Sequence, residues 1–528
     1  MRAIMNARYR YFALVLLSAA LVLPVSAQRS ATPQTPPSTP STIPDVNKEA
    51  PKQASEQKSE LSQIKIPPLP AFQPQEPKRI QLSNGMVVFL QEDHELPLVG
   101  GLMRIRGGTV YEPAEKTGLT DVYGTVWRTG GTKTKTGDQL DDFLEARAAK
   151  VETTANDDST IISFDCLKGD FNDVFAVFNE LLREPAFRPD KIELTKRQLF
   201  GIISRRNDEV DDIVRREAVK LAYGKENPYA RIDEYATVAA VTREDLVSWH
   251  DKYTVPANII FGVYGDFDAA QMEQLIRKTF ESWPAGTRVE EPKIDFQSAK
   301  PGIYFVSKED VNQSSIQLVG LGIERKNPDY YAVTVMNEIL GGGFASRLFV
   351  NLRSKLGLAY SVGGGVGSSW DHPGMDNFAA ATKSSTTKEM LEGLRHELKD
   401  LVVNPPTPAE MKRAKDSILN SFVFNFDSKQ KVLSEKMRYQ FYGYPLDFLE
   451  TYRSQIEKVT IDDVNRVAKK YVHPENYPTL VVGNSAEIGN QLTSLGPVTP
   501  VDISIPPPPG RRAQPGAPGA AQQQPPSE

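Results

Sequence analysis

Histidine, a common ligand of catalytic zinc, is sparse in this chain. The five histidines are at positions 94, 250, 372, 396 and 473, and the closest two are 24 residues apart. A zinc hydrolase motif of the His-Glu-x-x-His or His-x-x-Glu-His type needs two imidazoles on one helix face with a carboxylate beside them. The chain therefore cannot build such a site, and we expect each histidine to be a surface or packing residue.

The only cysteine, Cys166, excludes two further kinds of site. One thiol can form neither a disulfide within the chain nor a cysteine-based zinc site. Cys166 lies in the run 161–167, which is rich in apolar and β-branched residues. We expect it to be a small apolar residue in a strand.

An internal repeat indicates which elements must position any site. The two copies are 218 residues apart, and the residues that they share include Thr242, Asp245, Lys252, Tyr253, Pro256, Asn258 and Gly265, against Thr460, Asp463, Lys470, Tyr471, Pro474, Asn476 and Gly483. Each stretch predicts a helix capped by threonine, with an acid three residues later, then a loop and an apolar strand. We expect two homologous domains, at 76–290 and 300–490.

Each predicted domain mixes strands and helices. The pair Asn84-Gly85 between strand-forming runs predicts a hairpin. Helices are expected over 118–127, 170–183, 189–206 and 272–283, and the first carries an apolar stripe. Because strands and helices occur in clusters, the predicted fold class is α+β, with a largely antiparallel sheet backed by helices in each domain.

The two ends of the chain differ from this core. Arg2, Arg8 and Arg10 precede an apolar run that ends in small residues at Ala27, which predicts a signal peptide over 1–27 and a secreted, periplasmic protein. The apolar run is shorter than the ~20 residues of a spanning helix, so we expect no membrane span after cleavage.

Proline marks the parts outside the predicted domains. Of the 39 prolines, 11 lie in 28–77 and 10 in 493–528, so we expect a proline-rich linker over 28–75 and a disordered proline- and glutamine-rich tail over 491–528. The formal net charge of −5 leaves no basic surplus to neutralise phosphates. Nucleic acid is therefore not an expected partner.

A pattern in the first domain resembles a known family. The matching residues are Leu82, Asn84, Gly85, Val87, His94, Pro97, Gly107, Gly108, Thr109, Glu112, Gly118, Leu119, Gly131 and Thr132. In this order they resemble the start of the M16 peptidases, the family of pitrilysin and mitochondrial processing peptidase. The resemblance extends over about residues 76–490.

The same resemblance shows what the chain lacks. The family's inverted zinc motif, His-x-x-Glu-His, would place its histidines on Asp121 and Thr125, its general-base glutamate on Gly124 and its distal glutamate ligand near Gly201. Positions 121, 124 and 125 still share one helix face, but a lone aspartate offers one oxygen ligand and glycine offers no proton acceptor. We therefore expect no metal and no hydrolysis at this degenerate position.

The second domain resembles the family's C-terminal domain, in which a glycine-rich stretch precedes a substrate-binding arginine and tyrosine seven residues apart. Gly341, Gly342 and Gly343, followed by Arg353 and Tyr360, match that pattern. An arginine fork suits a peptide carbonyl or carboxylate, and a tyrosine hydroxyl can donate to a developing oxyanion. The glycines would let the backbone approach an extended peptide. A phosphate loop is not expected, because neither phosphate-loop pattern is present.

The resemblance implies a non-metal-binding subunit that pairs with a zinc-bearing M16 homologue. It would lend Arg353 and Tyr360 to the partner's site, and the zinc would belong to the partner alone. Two alternatives stay open. A catalytically inactive scaffold or peptide-binding module would not need these two residues, and an independent enzyme with an unrelated site would show peptidase activity in the isolated, metal-free chain.

Overall fold

Two six-stranded sheets, each covered by helices, make up residues 75–510, the part of the chain that this computed structural model describes. The predicted signal peptide over 1–27, the predicted linker up to residue 74 and residues 511–528 of the predicted tail lie outside the described residues. The predicted α+β fold class is confirmed, with one sheet in each half. No helix between residues 75 and 510 is both long enough and apolar enough to cross a bilayer.

The first half, residues 75–290, contains the first sheet in the order β1-β2-β6-β3-β5-β4. Its strands are β1 (Lys78–Gln81), β2 (Val87–Glu92), β3 (Leu98–Arg106), β4 (Lys150–Ala155), β5 (Ser159–Leu167) and β6 (Ile259–Gly265). All neighbours are antiparallel except β2 and β6. The predicted hairpin joins β1 to β2, with Gly85 at φ 91° and the side-chain amide of Asn84 donating to the Phe280 carbonyl at 2.7 Å.

Eight helices are described in the first half. They are α1 (Leu119–Thr129), α2 (Gly137–Glu145), α3 (Phe171–Arg183), α4 (Pro189–Ser204), α5 (Val210–Tyr223), α6 (Tyr235–Ala239), α7 (Arg243–Tyr253) and α8 (Ala269–Phe280). The apolar stripe predicted for α1 is buried, including Tyr123 and Trp127 at its centre. This stripe places the opposite face of α1 away from the core.

The second half, residues 300–510, contains the second sheet in the order β10-β12-β8-β13-β7-β14. The strands are β7 (Gly302–Ser307), β8 (Gln313–Leu321), β9 (Ile323–Glu324), β10 (Ala359–Gly365), β11 (Ser368–Ser369), β12 (Met375–Lys383), β13 (Pro478–Gly483) and β14 (Val498–Pro500), of which β9 and β11 form a separate short pair. The helices are α9 (Tyr330–Leu340), α10 (Thr387–Val403), α11 (Pro408–Phe422), α12 (Lys429–Tyr442), α13 (Phe448–Lys458), α14 (Ile461–Tyr471) and α15 (Ser485–Ile488).

The two predicted helix–loop–strand stretches have the same order of elements and the same place in their sheets. Helices α7 and α14 both begin at a threonine capping box, Thr242 with Asp245 and Thr460 with Asp463. The strands that follow, β6 and β13, each lie between one parallel and one antiparallel neighbour. The sheets differ at one outer edge, where β1 is antiparallel to β2 but β14 is parallel to β7.

The predicted start of the disordered tail at residue 491 is wrong. Residues Leu492–Leu495 form a short 3₁₀ turn and β14 follows at Val498–Pro500. Beyond β14, apolar side chains at alternate positions pack against the body of the protein as far as Ile505. The proline content concealed this period-2 pattern, and pairing with β7, nearly 200 residues earlier, has no local signal.

Each half contributes one helix that packs on the sheet of the other half. Each sheet therefore has helical cover from the other half in addition to the helices that we predicted within its own domain. Helix α5 packs on β7, β8 and β13 of the second sheet through a cluster that includes Ile213 and Val319. Helix α12 packs on β2 and β6 of the first sheet through Leu433 and Met437. This exchange joins the halves through apolar cores on both sheets.

Candidate functional site

The degenerate zinc position lies on α1, which is packed tightly against β4. Gly124 is buried, and a Cβ built there would lie 2.9 Å from the Ala155 backbone nitrogen. The Thr153 hydroxyl donates to the Gly124 carbonyl at 2.6 Å. A glutamate at this position would displace the strand, so the local packing itself excludes the family's general base.

The distal ligand position has the opposite environment. Gly201 lies near the end of α4, and a Cβ built there would meet no atom within 4 Å. Its carbonyl accepts a hydrogen bond from the Ser204 hydroxyl at 2.8 Å.

The two positions of the family's zinc histidines are on α1, where Thr125 lies beside Gly124 and Asp121 lies one turn before Thr125. Within residues 75–510, no group of three or more histidine, cysteine, aspartate or glutamate side chains could hold a metal ion.

A buried carboxylate, Glu112, caps the start of α1. It accepts hydrogen bonds from the Gly118 amide at 3.1 Å, from the Thr120 amide at 2.6 Å and from the Thr120 hydroxyl. Burial raises the pKa of Glu112 to about 7, the Asp121 carboxylate adds to the rise, and these hydrogen bonds oppose it. Its oxygens serve the helix terminus, so Glu112 holds α1 in place.

The histidines serve packing and surface contacts, as their spacing predicts. The imidazole of His250 is buried between the Tyr123 hydroxyl at 2.9 Å and the Leu182 carbonyl at 3.0 Å, and burial lowers the pKa of His250 to about 4. His372 stacks on the Tyr229 ring with 4.1 Å between centroids. His250 and His372 thus lie in different halves of the described chain and contact different residues.

Arg353 and Tyr360 lie side by side on the surface of the second half. Arg353 belongs to a π-helical segment, Phe349–Lys355, and Tyr360 is the second residue of β10. The Arg353 guanidinium carbon lies 4.9 Å from the Phe349 ring centroid and 5.9 Å from that of Tyr360. Both side chains are exposed, Tyr360 by 73%. The structure thus brings together the two residues that the family pattern predicts.

A β-bulge directs Tyr360 outwards. Ala359 pairs with Thr382 and Ser361 with the adjacent Ala381, so Tyr360 is the extra residue in β10. The Thr382 hydroxyl donates to the Leu358 carbonyl at 2.7 Å, next to the bulge. A bulge changes the direction of a side chain without ending the strand. Sequence reasoning did not find this feature, which has no local signal.

The glycine-rich loop packs backbone against backbone on β10. A Cβ at Gly341 would lie 2.3 Å from the Gly364 carbonyl oxygen, whereas Gly342 and Gly343 are exposed. The side chain of Asn337 accepts from the Val366 amide at 2.9 Å and donates to its carbonyl at 2.8 Å. We did not single out Asn337, although the second glycine run at 363–365 indicates a close backbone approach at this position.

The surface around this pair is suited to an extended peptide. Within the described residues, strand β10 pairs with β12 alone, so its other edge offers unpaired backbone groups. Phe344 is 67% exposed and packs edge-on against Phe349 at 4.9 Å. Among the described residues, no carboxylate lies within ion-pair distance of Arg353. An exposed cation, a phenol and an open strand edge can together bind peptide carbonyls and a carboxylate.

The degenerate zinc position and the Arg353–Tyr360 pair lie on different elements with no main packing neighbour in common. Helix α1 packs mainly on β4, α4, α7 and α2, whereas β10 and the π-helical segment pack mainly on β12, α9 and α10. The two positions therefore belong to different elements, one in each half.

Comparison with known proteins gives two family matches. The model described as "Insulinase (Peptidase family M16)" matches residues 87–232, and the model described as "Peptidase M16 inactive domain" matches residues 240–418. A relative in Helicobacter pylori, named "Non-peptidase homolog YmxG", is 23% identical over 75% of this chain and 91% of its own length. A Bacillus subtilis relative, "Uncharacterized zinc protease YmxG", is 22% identical over 78% of this chain and 99% of its own.

Two solved structures have the same fold. The peptidase M16 inactive domain from Pseudomonas fluorescens has a TM-score of 0.68 at 23% identity, covering 77% of this chain and 98% of its own. A protease from Helicobacter pylori has a TM-score of 0.66 at 19% identity, covering 78% of this chain and all of its own.

Proposed function

Because the chain belongs to the M16 peptidase family, in the form that lacks the zinc motif, we propose that it is the non-metal-binding subunit of a heterodimeric zinc metallopeptidase. The observation that carries this proposal is the exposed Arg353–Tyr360 pair, beside which residues 75–510 offer no cluster of side chains that could hold a metal ion. Such a pair has a catalytic use when a second subunit brings its zinc site to it. The relative named a non-peptidase homolog supports the absence of independent activity.

The residues of this chain would bind and polarise the peptide. Arg353 would donate its fork to a peptide carbonyl or terminal carboxylate, and the bulge would hold the Tyr360 hydroxyl towards the same peptide. As the attacked carbonyl becomes tetrahedral, the hydroxyl would donate to its developing negative charge. The partner would hold the zinc ion, because the α1 surface of this chain does not fit one.

The proposal includes export. A chain with the basic and apolar pattern of residues 1–27 would be cleaved after Ala27 and act in the periplasm. Fractionation of the native host, with mass spectrometry of the mature N-terminus, tests this part. A cytoplasmic protein that begins at Met1 would contradict it without affecting the proposed role of Arg353.

A second candidate, a peptide-binding or scaffold module, is favoured by the open edge of β10. A peptide could pair along this edge without any hydrolysis. In that case the isolated chain would bind extended peptides, and removal of the Tyr360 hydroxyl would leave the activity of any partner unchanged.

Reconstitution with a zinc-bearing M16 homologue distinguishes the two candidates. We expect no stoichiometric zinc in the purified chain by elemental analysis, an inert isolated chain and an active mixture. Tyr360→Phe should lower kcat by about 10²–10³-fold. Arg353→Ala should weaken peptide binding by roughly 1.5–3 kcal/mol and raise KM, since it removes a charge-assisted contact.

Two variants serve as controls for the arginine. Arg353→Lys keeps the charge but loses the fork, and should recover only part of the binding. Lys399→Ala removes an exposed cation from α10 and should be silent. Full activity of both Tyr360→Phe and Arg353→Ala in an intact heterodimer would leave the chain as a scaffold.

A further inference from the structure

The chain from Val498 to Ile505, which we name the C-terminal strap, crosses from the second half to the first. Its apolar side chains alternate with exposed ones, because Val501, Ile503 and Ile505 are half-buried while Asp502 and Ser504 are exposed. This is the pattern of an extended segment with one face on a core. Proline-rich sequence begins only after it, at Pro506.

The first part of the strap extends the second sheet. Val498, Thr499 and Pro500 form β14, in parallel register with Ile303, Tyr304 and Phe305 of β7. The Val501 amide then donates to the Phe305 carbonyl at 2.8 Å. The strap thus covers the edge of β7 that would otherwise be the outer edge of the second sheet.

The remainder of the strap contacts the first half. Val501 and Ile503 pack on the cluster that α5 forms with the second sheet, and Ile505 packs on the core of the first half. The Asn207 side chain, in the connection between α4 and α5, donates to the Ile503 carbonyl at 2.7 Å. After β14 has paired with the edge of the second sheet, the apolar side chains of the strap therefore contact first the cluster between the two halves and then the core of the first half.

We propose that the C-terminal strap is a cross-brace that closes the outer edge of the second sheet and ties α5 to it. An uncovered edge strand exposes unpaired backbone groups and promotes pairing with other chains, whereas a short edge strand that ends in proline does not. The strap has this form, with three strand residues and Pro500 at their end. The second sheet then keeps one open edge, at β10.

The first half closes its corresponding edge by a local route. Strand β1 reaches the edge of the first sheet through the hairpin at Asn84-Gly85. The second half has no such hairpin before β7, so the chain after β13 supplies the edge strand instead. This role of the strap requires no partner subunit and stands apart from the proposed function.

A single apolar-to-charged change in the full chain tests the brace. Ile503→Asp should speed amide hydrogen exchange in 302–307 and 207–223 by roughly tenfold or more, because local opening of the strap frees both regions. Ser504→Asp, one residue further on, places the same charge at an exposed position and should leave exchange unchanged. Equal exchange in the two variants would overturn the proposal.

Truncation gives an independent test. Removal of 511–528 should change neither exchange nor oligomeric state, whereas removal of 498–528 should expose β7 and produce concentration-dependent self-association by light scattering. If removal of 498–528 left a monomer with unchanged exchange in 302–307, the strap would not be a brace. If that truncated chain does not fold, the full-length Ile503→Asp variant still decides.

Discussion

Gly124, at the position of the family's general base, and Gly201, near the position of its distal ligand, are glycines in different structural environments. Gly124 lies where α1 approaches β4 too closely for any side chain, whereas Gly201 faces open space. The first glycine is therefore a packing requirement. For the second, the structure shows no steric reason for glycine.

Alanine at the two positions should have opposite effects. Gly124→Ala should destabilise the protein by about 1–3 kcal/mol, because the new methyl group overlaps β4. Gly201→Ala should stabilise it by about 0.5–1 kcal/mol, since alanine favours the helix and meets no atom. Urea denaturation of both variants checks this, and a destabilised Gly201→Ala would contradict it.

Glu112 should make stability depend on pH near neutrality. Between pH 4.5 and about 7 the unfolded chain has released this proton while the folded protein holds it, so stability falls as pH rises. The shift from 4.5 to about 7 corresponds to about 3 kcal/mol. Buried His250 acts in the opposite direction below pH 6.5, so the informative quantity is the difference between wild type and a variant.

Glu112→Gln removes this titration. Relative to the variant, the wild type should lose up to about 3 kcal/mol between pH 5 and pH 8, measured by urea unfolding at one-unit steps. Glu115→Gln, an exposed carboxyl in the same turn, should follow the wild type. Parallel curves for wild type and Glu112→Gln would refute the assignment.

At the scale of elements, two irregularities position the candidate site. The π-helical segment at Phe349–Lys355 carries Arg353, and the bulge in β10 carries Tyr360. Both π-helical segments and β-bulges often occur at functional sites, because they change the direction of single side chains. Gly341 of the glycine-rich loop packs against Gly364 of β10, and Asn337 of α9 is hydrogen-bonded to Val366 just after this strand.

The paired capping boxes give a prediction at this scale. Thr242→Ala and Thr460→Ala should each cost about 0.5–2 kcal/mol, because each removes the same side-chain acceptor for a helix amide. The corresponding Thr→Ser variants keep the oxygen and should stay near wild type. Chemical denaturation measures all four, and a silent alanine at either position would contradict the equivalence of α7 and α14.

At the scale of the whole described region, each half depends on the other for the cover of its sheet. Polar contacts reinforce this exchange, since the Arg104 guanidinium donates to Asp158 at 2.9 Å and to the Tyr442 hydroxyl at 2.9 Å. Arg106 also donates to the Phe441 carbonyl at the end of α12. The halves should therefore unfold together.

Substitutions in the exchanged helices should act on the opposite half. Leu433→Ala in α12 should cost about 2–5 kcal/mol and speed hydrogen exchange in β2 and β6 of the first sheet. Ile213→Ala in α5 should do the same for β8 and β13. Leu394→Ala, equally buried within the second half's own core, should speed exchange in β2 and β6 only as far as its loss of global stability accounts for, with no additional local opening there. Exchange confined to the substituted half would contradict the coupling.

The sequence by itself determined those features that short stretches encode. The hairpin at Asn84-Gly85, the threonine-capped helices, the α+β class and the lack of neighbouring histidines all follow from local spacing. The proximity of Arg353 and Tyr360 also follows, because only seven residues separate them. Such signals act within a few residues and need no knowledge of distant partners.

Only the tertiary structure decided which distant segments meet. Two of these features join residues that are far apart in the chain: the packing of α5 and α12 on the opposite sheets, and the pairing of β14 with β7. A third, the glycine at position 124, depends on how closely the backbone of α1 fits against β4. Their physical basis is close packing and backbone hydrogen bonding between segments without a shared local pattern. For this reason the proline-rich composition after residue 491 concealed an ordered strap.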